Sequence, residues 1–94
     1  MAENNSIFIG NGPFMNYITS VVMQFTTEES DEVIIRARGK LISRAVDVSE
    51  AVVNEFLNGV VEVKEVKLGS DLVQDNGKEI RVSTIDIYLK KLND

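Results

Sequence analysis

At 94 residues the chain is long enough for one hydrophobic core and too short for two. It has no cysteine and no histidine, which excludes disulfides, thiol chemistry, imidazole acid–base catalysis and the usual zinc sites. Fifteen acidic residues against ten basic ones give a formal charge of -5, so a polyanion would have to be held by local positive charge, distant charges being screened beyond roughly 8–10 Å. Hydrophobic residues make up 44% of the chain, a globular composition. No apolar run reaches the length of a membrane helix. Residues 1–6 are short and polar, without the charged start and apolar centre of a signal peptide; a disordered tail and a cytoplasmic address are expected.

Ile7, Phe8 and Ile9 form an apolar run ending at Gly10, the pattern of a short buried strand. After Gly10-Asn11-Gly12-Pro13, the residues Phe14, Tyr17, Ile18, Val21, Val22 and Phe25 recur at helical spacing. Proline suits the first helical position, so the helix is expected to begin at Pro13. The strand–Gly-x-Gly–helix order hints at a phosphate cradle, although a plain tight turn is the favoured reading unless nucleic-acid binding is supported on other grounds. It fails as a dinucleotide fingerprint, because Met15 stands where the third glycine belongs. An acidic loop, Thr27 to Glu32, separates this helix from the next strand.

Val33, Ile35 and Ala37 alternate with Ile34, Arg36 and Arg38, which is a strand with one apolar face. Gly39 ends it, and Ile42, Ala45, Val46, Ser49, Val53 and Phe56 follow at helical spacing, flanked by Leu41, Val48 and Val52. This helix is expected from about Leu41 to Leu57, stopped by Asn58-Gly59. Its apolar stripe is wide enough for a second partner besides its own sheet. From Val33 to Val46 there is no acidic residue, while four of the ten basic ones, Arg36, Arg38, Lys40 and Arg44, fall there. Two readings are open for this cluster. It is a landing site for a polyanion, or it is a solvated face paired with nearby Glu28, Glu29, Asp31 and Glu32.

Val60 to Val73 and Lys78 to Leu92 read as two long strands, and Asn76-Gly77 between them signals a type I′ hairpin. That turn pairs Lys78 with Asp75, Ile80 with Val73, Val82 with Asp71, Ile85 with Leu68 and Ile87 with Val66. The last four apolar residues then share a core-facing patch, while Ile80 and Val82 lie on the opposite face. The outer half of the ribbon is expected to twist strongly or to project from the domain. The element order is β-α-β-α-β-β: an α/β two-layer sandwich of a four-stranded mixed sheet with two helices and a long projecting hairpin, as one domain over residues 7–92.

Three separated motifs carry a resemblance: I-F-I-G-x-x-P-F-M-N-Y at Ile7–Tyr17, I-I-R-A-R-G-K-L-I-S-R-A-V-D at Ile34–Asp47, and R-V-S-T-I-D-I at Arg81–Ile87. In order and spacing they are similar to the Alba family of archaeal chromatin and RNA-binding proteins. The resemblance implies a homodimer, cytoplasmic and chromosome-associated, that binds double-stranded DNA and RNA with little regard to sequence. It implies no catalytic residue, cofactor, metal, membrane or small-molecule substrate. On matching positions Arg36, Arg38, Lys40 and Arg44 become phosphate contacts, with Asn11, Gly12, Asn16 and Tyr17 beside them. Lys78 and Arg81 become contacts of the hairpin arm, and Phe56 a contact between dimers. The chain departs from the family where a lysine pair usually precedes the proline; here stand Asn11 and Gly12. Near the end of the second helix it has Val53 and Glu55 where basic residues are common, and its arm carries Asp71, Asp75 and Glu79. These departures predict weaker duplex binding, and they motivate an alternative: an interaction subunit that heterodimerises with a more basic paralogue or joins a ribonucleoprotein complex.

Overall fold

The computed structural model describes residues 5–92. In chain order they form β1 (Ser6–Phe8), α1 (Phe14–Thr26), β2 (Glu32–Arg38), a 3-10 turn (Gly39–Leu41), α2 (Ile42–Ala51), a π-type turn (Val52–Phe56), β3 (Val61–Asp75) and β4 (Lys78–Lys91). Of the tail expected at 1–6, residues 1–4 lie outside the described residues. Asn5 donates from Nδ2 to the Glu32 carbonyl at 2.9 Å, and Ser6 opens β1.

The four strands form one mixed sheet in the order β1-β2-β4-β3, with β1 parallel to β2 and the other pairs antiparallel. Helix α1 is the crossover that a parallel β1–β2 pair requires. Both helices cover the same face, where Val33, Ile35, Ala37, Ile85, Ile87 and Leu89 meet Ile18, Val21 and Phe25 of α1 and Ala45 and Val48 of α2. The other face carries no helix. Two layers, two helices and a mixed sheet are the architecture the element order predicts.

The hairpin forms in the predicted register: Asp75↔Lys78, Val73↔Ile80, Asp71↔Val82, Leu68↔Ile85 and Val66↔Ile87. Asn76 (φ 54°) and Gly77 (φ 79°) both take the left-handed conformation that a type I′ turn demands. Strand β2 stops pairing at Arg38↔Thr84, so everything beyond Thr84 towards the turn has only β3 beside it. The hairpin thus projects as an arm and stretches the molecule to 51 × 24 × 23 Å.

Four details depart from the sequence reading. First, the run Ile7–Ile9 is not buried throughout: Ile9 is buried but Phe8 is 71% exposed. β1 is an edge strand covered on one face only, so alternation turns Phe8 outward. Second, Val66 and Leu68 share a face with buried Ile87 and Ile85, yet stay 48% and 78% exposed, because the helices stop short of the outer strand. Third, the core-facing row is Ala45, Val48 and Ser49 of α2 with Val52 of the π-type turn, leaving Val46 and Phe56 exposed. The π-type turn, closed by the Leu57 N–H to the Val52 carbonyl at 2.8 Å, inserts one residue per turn and rotates the end of the helix. Fourth, α1 begins one residue later than predicted, with Pro13 as its N-cap residue in an extended conformation (ψ 134°).

A bulge lies between Val63 and Glu65, with Lys64 the extra residue. It resets alternation so that Val61 and Val63 lie on the same side as Val66 and Leu68, the side that faces the helices. Without it the apolar residues of β3 would fall on opposite faces.

Candidate nucleic-acid interface

The loop before α1, the 3-10 turn and the start of α2 meet at one end of the sheet, and Arg44 ties them together. Its Nη2 donates to the Gly12 carbonyl in a short contact, while its guanidinium carbon stands 5.9 Å from the Phe14 ring centroid and 5.7 Å from that of Tyr17. A half-buried cation between two rings is held by their quadrupoles as well as by the hydrogen bond. The Gly12 N–H donates to the Tyr17 hydroxyl at 3.0 Å. That amide is therefore turned inward, and Pro13 has none, so the phosphate cradle suggested by Gly-x-Gly is narrower than its spacing implies. Gly12 has no positive φ. Its constraint is spatial, since a Cβ there would stand 2.9 Å from the Tyr17 hydroxyl.

This loop makes a stability prediction. Tyr17→Phe should lower the unfolding free energy by about 1 kcal/mol, the usual net value of one hydrogen bond, because the ring and its contact with Arg44 remain. A chemical denaturation midpoint equal to that of the parent would show that the Gly12 amide finds water instead.

The four cations of the central segment divide between surfaces. Arg36 and Arg38 lie on the uncovered face of the sheet, opposite buried Ile35 and Ala37. Lys40 stands exposed on the 3-10 turn, and Arg44 is tucked under the loop. The acidic partners expected from the neighbouring sequence, Glu28, Glu29, Asp31 and Glu32, are not the ones used. Arg36 pairs with Asp86 at 3.2 Å and also donates to the Ser6 hydroxyl at 3.1 Å. Arg38 pairs with Asp71 at 2.6 Å. Glu32 takes Lys64 instead, at 3.5 Å. The reason is the register: Asp86 sits directly opposite Arg36, and Asp71 belongs to the row just past Arg38. Among the described residues, Lys40 forms no ion pair.

Asn16 is exposed on the first turn of α1. On the arm, Lys78 stands at the turn and Arg81 donates to Ser70 across the ribbon at 3.0 Å. These two are far out along the arm, remote from the loop, and the cations therefore form a body group and an arm group. Phe56 is half exposed on the other side, beside a groove that also holds Phe14, Met15, Asp47, Glu50 and Glu55. Sequence reasoning missed Phe8, Asp71 and Asp86 as neighbours of the arginines. Cross-strand registry was the signal: the predicted Val82–Asp71 pair already set Asp71 at the base of the arm.

Comparison with known proteins agrees with this geometry. The family model described as Alba matches residues 5–70. The chain is 49% identical over 89 residues to the DNA/RNA-binding protein Alba of Methanococcus maripaludis, covering 94% of this chain and 99% of that protein. It is 49% identical over 87 residues to the DNA/RNA-binding protein Alba of Nanoarchaeum equitans, covering 90% of this chain and 96% of that one. Among solved structures, Alba from Thermoplasma volcanium superposes with a TM-score of 0.83 at 39% identity, over 90% of this chain and 98% of its own. A match of this extent in both sequence and fold leaves one conclusion: the chain belongs to the Alba family.

Proposed function

We propose that this protein binds DNA and RNA as a dimer, with little dependence on sequence, by laying its body cations and hairpin arms along the phosphate backbone. It is a member of a binding-protein family and not an enzyme. The observation that carries the reading is the tie made by Arg44 of α2, which holds the Asn11–Gly12 loop against the helix that follows the Lys40 turn. Lys40 and Arg38 supply charge to the backbone, Asn11 and Asn16 supply neutral hydrogen bonds, and Arg44 acts through the loop it positions. Lys78 and Arg81 extend the contact along the arm. The names of the relatives support nucleic acid as the ligand, and phosphate contacts of this kind serve DNA and RNA alike. The proposal extends to association with the chromosome, which the DNA-binding relatives support. No helix among the described residues is long and apolar enough to cross a membrane.

Dimerisation is supported by the apolar strip left uncovered on the helix side of β3, Val63, Val66 and Leu68, close to the end of α2. A partner copy or a paralogue would cover it equally well. The excess of acid on this chain favours a more basic paralogue as a second reading. Duplex affinity measured with and without such a paralogue separates the two.

A salt titration of duplex binding is the direct test, because each phosphate contact adds about 0.9 to the slope of log K against log salt on B-DNA. Asn11→Lys adds a cation to the loop without touching the Gly12 amide or Tyr17. It should tighten duplex binding and steepen the slope by about 0.9 per subunit. An unchanged affinity at low salt, with the fold intact, would mean that the loop does not face the duplex.

A further inference from the structure

We infer that the uncovered face of the sheet carries a second site, which takes an unpaired base of single-stranded nucleic acid. A cleft of about 510 Å³ opens there, lined by Phe8, Arg36, Arg38, Asp71, Thr84 and Asp86 among others. Its volume lies within the roughly 300–1,000 Å³ typical of sites for small organic groups. Phe8 is the most exposed aromatic side chain among the described residues, at 71%. Registry places it in one row with Arg36 and Asp86. The face has a second aromatic residue, Tyr88, whose ring is already covered by the Lys67 ammonium at 5.0 Å. Phe8 has no such cover.

The charges of the cleft decide what it can hold. Arg36 with Asp86 and Arg38 with Asp71 make two cations and two anions, so the cleft as a whole draws phosphate weakly. What it offers is an aromatic face, guanidinium donors and carboxylate acceptors. In each ion pair the contact is to Oδ2, and among the described residues Oδ1 of Asp71 and of Asp86 has no hydrogen-bond partner. Such acceptors suit the exocyclic amino group of a base, as a carboxylate accepts from cytosine N4. A duplex keeps its base faces stacked and cannot present one to Phe8. A single strand can, and bases splayed from single strands are held by ring stacking and edge hydrogen bonds.

This site rests on the nucleic-acid reading above and adds to it a ligand class; the cleft borders the Lys40 turn and shares Arg38 with the duplex contact, and Phe8 is the residue that tells the two apart. The test compares a short oligocytidylate, a short oligouridylate and a mixed-sequence RNA duplex at one salt concentration, by fluorescence anisotropy. Phe8→Leu keeps an apolar side chain and removes the ring, whereas Phe8→Tyr keeps the ring. Phe8→Leu should weaken oligocytidylate binding on the order of 5- to 150-fold, the loss expected for one stacked base. Duplex affinity should be unchanged, and Phe8→Tyr should bind the single strand like the parent. The parent should prefer oligocytidylate to oligouridylate. Because the chain has no tryptophan, Phe8→Trp supplies a single reporter whose emission should be quenched by the single strand and not by the duplex.

An equal loss on single strand and duplex, no loss on either, an unquenched tryptophan, or indifference between the two homopolymers would each overturn the site. If the parent binds the duplex through Lys40 while Phe8 has no effect, this inference alone fails. If the parent binds neither ligand, the proposed function falls with it.

Discussion

Replacing Arg38 and Lys40 together by alanine should flatten the salt dependence of duplex binding by about 3.6 units, for two contacts in each of two subunits at about 0.9 apiece. With the intercept at 1 M salt unchanged, that amounts to a loss of about 4,000-fold in affinity at 0.1 M salt. The structure makes these two the pair to remove. Lys40 is exposed without an ion pair among the described residues, and Arg38 is held by Asp71 in a pair with side chains 57% and 52% exposed. An ion pair that open contributes little to stability, so phosphate can displace the carboxylate at small cost. Arg36 is the contrasting control. Its pair with Asp86 is less exposed, at 34% and 29%, and Ser6 holds it from the other side. Arg36→Ala should therefore affect duplex binding less than Arg38→Ala. The loss should be similar for unrelated duplex sequences, since phosphate contacts carry no base information. A parental salt slope in the double variant would move the duplex site away from this end of the sheet.

Leu68→Asp should convert a dimer into a monomer of 10.5 kDa. Leu68 is 78% exposed although it lies on the side of the sheet that faces the helices, and Val66 and Val63, 48% and 42% exposed, lie on the same side. Burying a leucine side chain contributes about 2 kcal/mol. Losing that burial in both subunits raises the dissociation constant about a thousandfold, before any repulsion between the new carboxylates. The folded monomer should survive, because Leu68 is not part of its core. Sedimentation at micromolar concentration reads the outcome, and a variant that sediments as the parent does would place the subunit contact elsewhere. The proposed dimer would also double the cations available to one duplex. Leu68→Asp should thus weaken duplex binding while leaving each body site intact.

What could be read without the fold was whatever depends on neighbours in the chain. Asn76-Gly77 alone set the hairpin register, because a two-residue turn with two left-handed residues permits one pairing of the strands. The helices and the alternation of β2 followed from period. The motif spacing at Ile7–Tyr17 and Ile34–Asp47 carried the family. The tertiary structure decided everything that depends on which surfaces are covered. Phe8 reads as core in the run Ile-Phe-Ile, and only the position of β1 at the edge of a sheet covered on one face turns it to solvent. Lys64 breaks the pattern V-E-V-K-E-V as one extra residue, a signal of the bulge that becomes readable once Leu89 and Tyr88 are seen opposite Val63 and Glu65. Proximity in the chain offers Arg36 and Arg38 only the adjacent acidic loop as a source of ion-pair partners, whereas cross-strand registry supplies Asp86 and Asp71. Arg44 looked like a surface cation four residues from Lys40, and the approach of α1 made it the tie between two rings and a carbonyl. Local chemistry specifies turns and periods because its energies act within a few residues. The surroundings of a charge are set by residues that meet only when the sheet has closed.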